Sequence, residues 1–304
     1  MITVIIFAIV KVFGFFAVGI AGRLTGYVKE ESINEWSRFA IDFLYLFLIF
    51  DSITQNLDRK QLFAVWPLPV IGFGAVFLGF CIGMLMKAGL LTGNKDIKKT
   101  FVHFCAINNS SYLPIVIAGN LWGGTAVANL FLLNLGTTVG LWTIGIVVLQ
   151  TGNPFRNIKN LLCGNLIMVL VSTLLVITGL NRFLPSIMMQ VCNSVGSMAV
   201  PLILTLTGAT FADRRNLHIN WQVVYVTIVR LIIFPLCTIP VLKLLPLTKD
   251  VYQISVIVCL MPVAVSSVLL IRRYGGHPEY ASSTALVSTI SALITVPIAI
   301  WILF

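Results

Sequence analysis

The sequence predicts an all-α, polytopic membrane protein: ten transmembrane helices in two inverted five-helix repeats, with helices 4 and 9 broken and crossed. Three observations predict it. Hydrophobic residues make up 58% of the 304-residue chain, charged residues only 10%, and the mean hydropathy is +1.00; soluble domains run to about 45–50% apolar and about 25% charged. Apolar stretches of membrane-crossing length follow one another with only short links between them. Two of these stretches, Ala106 to Pro114 and Cys259 to Ser267, are interrupted in the same way. Each follows a short charged linker (Lys95 to Lys99; Lys249-Asp250) and precedes a glycine pair, Gly123-Gly124 or Gly275-Gly276, and the pairs lie 152 residues apart. Interrupted helices in corresponding positions of two halves point to the binding site of a transporter.

A spanning helix needs about 20 apolar residues. On that rule the spans fall at 2–22, 34–53, 64–88, 100–119, 125–150, 158–180, 187–211, 219–245, 252–271 and 280–303. The first carries no basic region and no small-residue cleavage site, so it reads as a retained helix rather than a signal peptide. Gly, Pro, Asn or charged residues mark each join. Residues 1–150 form the first repeat, 151–157 a cytoplasmic connector, and 158–304 the second repeat. An odd number of spans per repeat makes the second enter from the opposite face. Links on one side hold thirteen Lys and Arg: Arg23, Lys29, Arg38, Lys87, Lys95, Lys98, Lys99, Arg156, Lys159, Arg214, Arg215, Arg272 and Arg273. The other side holds five: Arg59, Lys60, Arg182, Lys243 and Lys249. The basic side is cytoplasmic, which puts both termini outside a cell (inner or plasma) membrane.

A net charge of +10 distributed in this way suits anionic lipid and not nucleic acid. The six cysteines, 81, 105, 163, 192, 237 and 259, sit in apolar runs without CxxC spacing and read as buried small hydrophobes. There is no phosphate loop, nucleophile elbow or paired-carboxylate motif, and no His/Cys/Asp/Glu spacing suited to a metal. The chain is therefore expected to need no cofactor and not to be an enzyme.

The chemistry gathers at the breaks. Proline lacks an N–H and clashes with the carbonyl a turn earlier, so Pro114 and Pro262 each free backbone groups. Hydrocarbon cannot satisfy these; unwinding at membrane depth needs protein or a wet cavity around it. Asn108, Asn109, Ser110, Ser111 and Tyr112 flank the first break, and Ser266 and Ser267 the second. The half-helix after each break presents N–H groups and about half a positive charge, the chemistry that binds a carboxylate. Substrate-binding candidates are therefore Asn108, Asn109, Ser110, Tyr112, Pro114, Pro262, Ser266 and Ser267. Pro201, Pro235, Pro240 and Pro297 are expected only to kink their helices.

Charges within spans normally face the interior and have partners. Lys11 and Asp42 fit an ion pair between neighbouring helices, structural or coupled to ion movement. Arg230 counters an anionic substrate, snorkels, or braces helices. His103 either relays a proton or is a hydrogen-bonded core residue. The small residues Ala75, Gly79 and Gly83 predict a close helix-packing face.

At these residues the chain resembles the auxin efflux carrier family of plant PIN-formed and PIN-like proteins and bacterial malonate and malate carriers. Met261-Pro-Val-Ala, Arg273-Tyr-Gly-Gly-His-Pro-Glu-Tyr-Ala-Ser-Ser-Thr, Ser288-Thr-Ile and Val296-Pro resemble its last two helices. Val200-Pro-Leu-Ile-Leu with Gly208-Ala-Thr resembles its seventh helix, and Asn109-Ser-Ser-Tyr-Leu-Pro114 its first crossover. The resemblance implies a scaffold domain and a transport domain with an X-shaped crossover, a homodimer, and elevator-like movement of small organic anions. Two departures stand out. Phe43-Leu-Tyr-Leu-Phe replaces a proline-containing second helix, and Ser266 and Ser267 replace the asparagine of the plant exporters' second crossover. Auxin itself is therefore not the expected substrate. The coupling ion, H+ or Na+ or none, stays open. The competing readings are a sodium-coupled carrier like the bile-acid symporters, a membrane-embedded sensor, or an enzyme.

Overall fold

The computed structural model describes residues 2–150, 163–212 and 219–304. The expected connector at 151–157, the start of the sixth span, and Arg156, Lys159, Arg214, Arg215 and His218 lie outside the described residues. In chain order the helices are α1 (Ile2–Leu24), α2 (Glu30–Phe39), α3 (Tyr45–Asn56), α4 (Arg59–Ala64), α5 (Pro67–Met86), α6 (Lys95–Ala106), α7 (Tyr112–Trp122), α8 (Gly124–Gly140) and α9 (Ile146–Leu149). They continue with α10 (Gly164–Thr178), α11 (Ser186–Ser197), α12 (Ala199–Phe211), α13 (Trp221–Ile228), α14 (Phe234–Leu244), α15 (Lys249–Cys259), α16 (Ser267–Tyr274) and α17 (Pro278–Leu303). Among the described residues no strand is present.

Local sequence explains the boundaries. Asn94, Asn220, Thr248 and His277 accept backbone N–H bonds at the starts of α6, α13, α15 and α17, the usual N-cap device. Asp58 and Gln61 close a reciprocal capping box on α4. Pro278 sits at the first position of α17, where a missing N–H costs nothing. Pro240 and Pro297 lie inside α14 and α17 without interrupting them. Short π-helical stretches, Ala40–Leu44, Leu141–Gly145 and Val229–Ile233, join α2 to α3, α8 to α9 and α13 to α14.

Among the described residues, five helical stretches are long and apolar enough to cross a membrane: Arg59–Leu90, Gly124–Leu149, Ser186–Phe211, Trp221–Leu244 and Pro278–Leu303. Helices α7 and α10 are apolar but shorter. The stretches expected as spans 4 and 9 are divided: α6 and α7 flank non-helical residues 107–111, and α15 and α16 flank residues 260–266. Length and composition thus qualify fewer helices than the ten expected, partly because interrupted helices are short by construction.

The chain forms two compact units, and each draws on both halves of the sequence. Unit 1 holds Met1–Trp66, Ser111–Leu132 and Leu162–Arg214; unit 2 holds Pro67–Ser110, Leu133–Leu161 and Arg215–Phe304. In unit 1, α1 packs along α12, and α3 packs against α10 and α11. The approach of α1 to α12 needs glycine: a Cβ on Gly19 would meet the Thr205 carbonyl, and one on Gly208 the Phe16 carbonyl. In unit 2, α5 packs on α6 through Gly79 and Gly83, whose added Cβ atoms would meet Cys105 and Val102. That is the small-residue face anticipated from the sequence. Phe101, Phe104, Val226, Ile271, Tyr280 and Ala281 form the core between α6, α13, α16 and α17. Large apolar side chains such as Phe7, Val18, Leu85, Leu174 and Trp301 stand more than half exposed. Apolar surface of that extent is a liability in water and ordinary contact in lipid.

Candidate functional site

Pro262 has no N–H, so the Val258 carbonyl one turn earlier loses its i+4 donor. The Met261 N–H reaches that carbonyl at 3.2 Å, and Asn108, from the other break, adds a second donor, its Nδ2. The backbones join beside it. Asn108 and Val263 face each other as a single antiparallel bridge, and the Asn109 N–H donates to the Pro262 carbonyl at 2.8 Å. The Ser110 N–H turns back onto the Asn108 carbonyl at 3.0 Å. Two breaks far apart in sequence therefore meet inside unit 2, each supplying partners that the other lacks.

Drawing the Asn109 N–H away to Pro262 leaves the Cys105 carbonyl of α6 without its i+4 donor, and the end of α15 has orphan carbonyls of its own. Arg230 fills both needs. Its Nε donates to the Met261 carbonyl at 3.1 Å, Nη1 to Cys105 at 3.1 Å and Nη2 to Cys259 at 3.5 Å. The side chain is 1% exposed, and its guanidinium carbon lies 3.9 Å from the centre of the Phe234 ring. It projects from the π-helical stretch Val229–Ile233, a kind of local bulge that recurs at functional sites. Of the three sequence readings, bracing is the one that describes these contacts, and a side chain this buried does not snorkel. The guanidinium nitrogens face backbone carbonyls and not an open cavity.

Beside the first break the Ser110 hydroxyl lies 3.3 Å from that of Thr137, which reaches the Asn134 carbonyl and side-chain oxygen at 3.2 Å each. Sequence reasoning passed over Asn134 and Thr137. Their i, i+3 spacing within the apolar run 125–150 was the available signal.

Asn109 differs from its neighbour. Its backbone is held, but its side chain is half-buried and makes no hydrogen bond among the described residues. Ser266 is exposed; the Ser267 hydroxyl is buried without a partner among the described residues. The start of α16 departs from expectation. The N–H groups of Ser267, Val268 and Leu269 close tight turns onto Ala264, Val265 and Ser266 at 3.1, 3.1 and 3.2 Å, so they are not open to an anion. The N–H groups of Val265 and Ser266 have no acceptor among the described residues.

The structure does not gather all the expected residues. Between Ser110 and Ser111 the chain leaves unit 2. Tyr112 and Pro114 belong to α7 in unit 1, where the Tyr112 ring meets that of Tyr45 at 5.6 Å, edge to face. Pro114 falls in the first turn of α7, so the break precedes it. Lys11 and Asp42 form no salt bridge, because Lys11 Nζ lies 3.4 Å from Asn120 Oδ1 and the ion pair among the described residues is Arg23–Glu30. Asp42 is exposed on the stretch Ala40–Leu44, and the unit's buried carboxylate is instead Asp51, bonded to Asn193 Nδ2 at 2.8 Å. His103 is fully buried with Nδ1 2.9 Å from the Gly145 carbonyl. A carbonyl only accepts, so Nδ1 carries the proton and Nε2 the lone pair. All six cysteines are free thiols; Cys105, Cys192 and Cys259 are buried as expected, whereas Cys237 is exposed on α14.

Long apolar helices, an apolar exterior and interrupted helices joined at unwound backbone define an integral membrane protein. Residues 4–160 and 153–300 match the model of the membrane transport protein family. The chain belongs to that family, that of the auxin efflux carriers, and is a membrane transporter. The comparison with curated proteins returned no match.

Proposed function

We propose that this protein is a secondary transporter that carries small organic anions, mono- or dicarboxylates, by an elevator-like alternating-access movement. The substrate carboxylate binds in unit 2, where the interrupted helices α6 and α15–α16 meet. One observation carries the reading: Asn109 is anchored by its backbone to Pro262 yet keeps a half-buried side-chain amide with no partner among the described residues. Its Nδ2 offers donors to a carboxylate, and the Val265 and Ser266 N–H groups and the Ser266 hydroxyl extend the donor set. Asn108 and Arg230 hold the backbone that aims these groups and do not themselves take the substrate. In this reading ten spans form two inverted repeats (1–150 and 158–304), with both termini outside and two copies per assembly.

The test is flux. Purified protein in proteoliposomes, loaded with members of a panel of mono- and dicarboxylates, is expected to exchange a subset of them. Thermal stabilisation by that same subset is expected to disappear in Asn109→Ala. Absence of flux with retained tight binding would instead identify a sensor and refute the carrier.

A further inference from the structure

The carrier reading uses Arg230 as a brace and leaves its charge unused. It is a permanent cation, fully buried, and no carboxylate pairs with it among the described residues. The acids of unit 2 that sit on the helices concerned, Asp96, Asp250 and Glu279, lie in the first turns of α6, α15 and α17, at the opposite ends from the breaks. An unpaired buried charge is strongly unfavourable, so its compensation has to come from the groups it touches. Those are the Cys105, Cys259 and Met261 carbonyls, at the C-terminal ends of α6 and α15 and in the break that follows. Each helix C-terminus carries about half a negative charge. Two such ends together amount to about one negative charge, which the single guanidinium charge offsets. In broken-helix carriers, unwound carbonyls and half-helix C-termini of this kind coordinate the coupling Na+ or H+.

We propose that Arg230 is a tethered counter-cation: it permanently fills the carbonyl cage at the meeting of the two breaks that a mobile coupling cation would otherwise occupy. The cage is then complete in the absence of Na+, and the anion site beside it works without sodium. The guanidinium suits the task because its planar fork reaches three carbonyls in fixed directions. The Phe234 ring, 3.9 Å from its central carbon, covers one face. The sodium clause rests on the proposed carboxylate site; the cage clause does not.

Two measurements on the full-length protein in detergent test it. In the first, carboxylate affinity of the wild type is measured in NaCl and in choline chloride at equal ionic strength. Equal affinities are expected, and an affinity that requires Na+ overturns the proposal. In the second, the melting temperatures of Arg230→Lys and Arg230→Met are compared without any anion. Both lose the fork and keep a side chain of similar length, but only the first keeps the charge. The lysine variant is expected to melt higher. A methionine variant that melts at the same temperature or above it shows that the site wants bulk rather than charge, and overturns the proposal. Failure of the wild type to bind any carboxylate defeats the carrier reading alone, and the second comparison still decides the cage.

Discussion

Replacing Asn108 and, separately, Asn109 with alanine will divide the work of holding the breaks together from that of holding the anion. Asn108 is 8% exposed, and its Nδ2 bonds to the Val258 carbonyl that Pro262 leaves without an i+4 donor. Removing it takes away one of two donors, since the Met261 N–H still reaches that carbonyl at 3.2 Å, and the lost hydrogen bond is worth about 0.5–1.5 kcal/mol. Asn108→Ala should therefore lower the melting temperature by a few degrees and weaken anion binding only indirectly. Asn109 contributes its backbone N–H to Pro262, which alanine retains, and its side chain has no partner among the described residues to lose. Asn109→Ala should leave the melting temperature unchanged. It should remove one hydrogen bond to a charged group, about 1.5–3 kcal/mol, equivalent to about a 10- to 150-fold rise in Kd. The assay is thermal unfolding of each variant over a titration of the best-binding carboxylate. If Asn109→Ala melts as low as Asn108→Ala and binds the anion with wild-type affinity, the division of roles is refuted.

Three further outcomes follow from the packing. A Cβ at Gly79 would overlap the Cys105 carbonyl and crowd the Ala106 Cα, so Gly79→Ala should push α5 off α6 at about 1–3 kcal/mol, read as a lower melting temperature. Gly276 has φ +121° and sits against Thr100 Oγ1, which accepts the His277 N–H at 2.9 Å; Gly276→Ala should cost about 1–3 kcal/mol in backbone strain and speed hydrogen exchange at His277. In unit 1, Asn193→Ala strips the buried Asp51 carboxylate of its 2.8 Å partner, a loss of about 1.5–3 kcal/mol. It should appear as reduced thermal stability with anion affinity unchanged, and a loss of affinity would contradict a purely structural role for that bond.

The two helix interruptions were legible because their causes are partly local. A proline deletes the same N–H wherever it stands, yet Pro240 and Pro297 stay inside continuous helices; the interruption near Pro262 was legible because it recurs at the place of the Ala106–Pro114 break in the other half. The polar run Asn108 to Tyr112 announced the other break, although the break ends before Pro114, where the missing N–H does no harm. The small-residue face at Gly79 and Gly83 was equally readable, since only a close approach rewards glycine at helical spacing. The Lys11–Asp42 pair was misjudged for the opposite reason. Two charges in neighbouring apolar stretches say nothing about which way their helices are rotated, and here Lys11 meets Asn120 while Asp51, not Asp42, is buried.

The sequence by itself determined that this chain lives in a membrane, that two of its helices are interrupted, and which family it resembles. These depend on composition, on backbone chemistry and on residue strings. Tertiary structure alone decided that Asn108 serves Val258 while the Asn109 side chain has no partner among the described residues. It also decided that three carbonyls from two breaks converge on Arg230, and that the chain changes units at Ser110. The first two depend on which orphaned group finds which partner 29 to 150 residues away, and only packing brings such groups within hydrogen-bond reach.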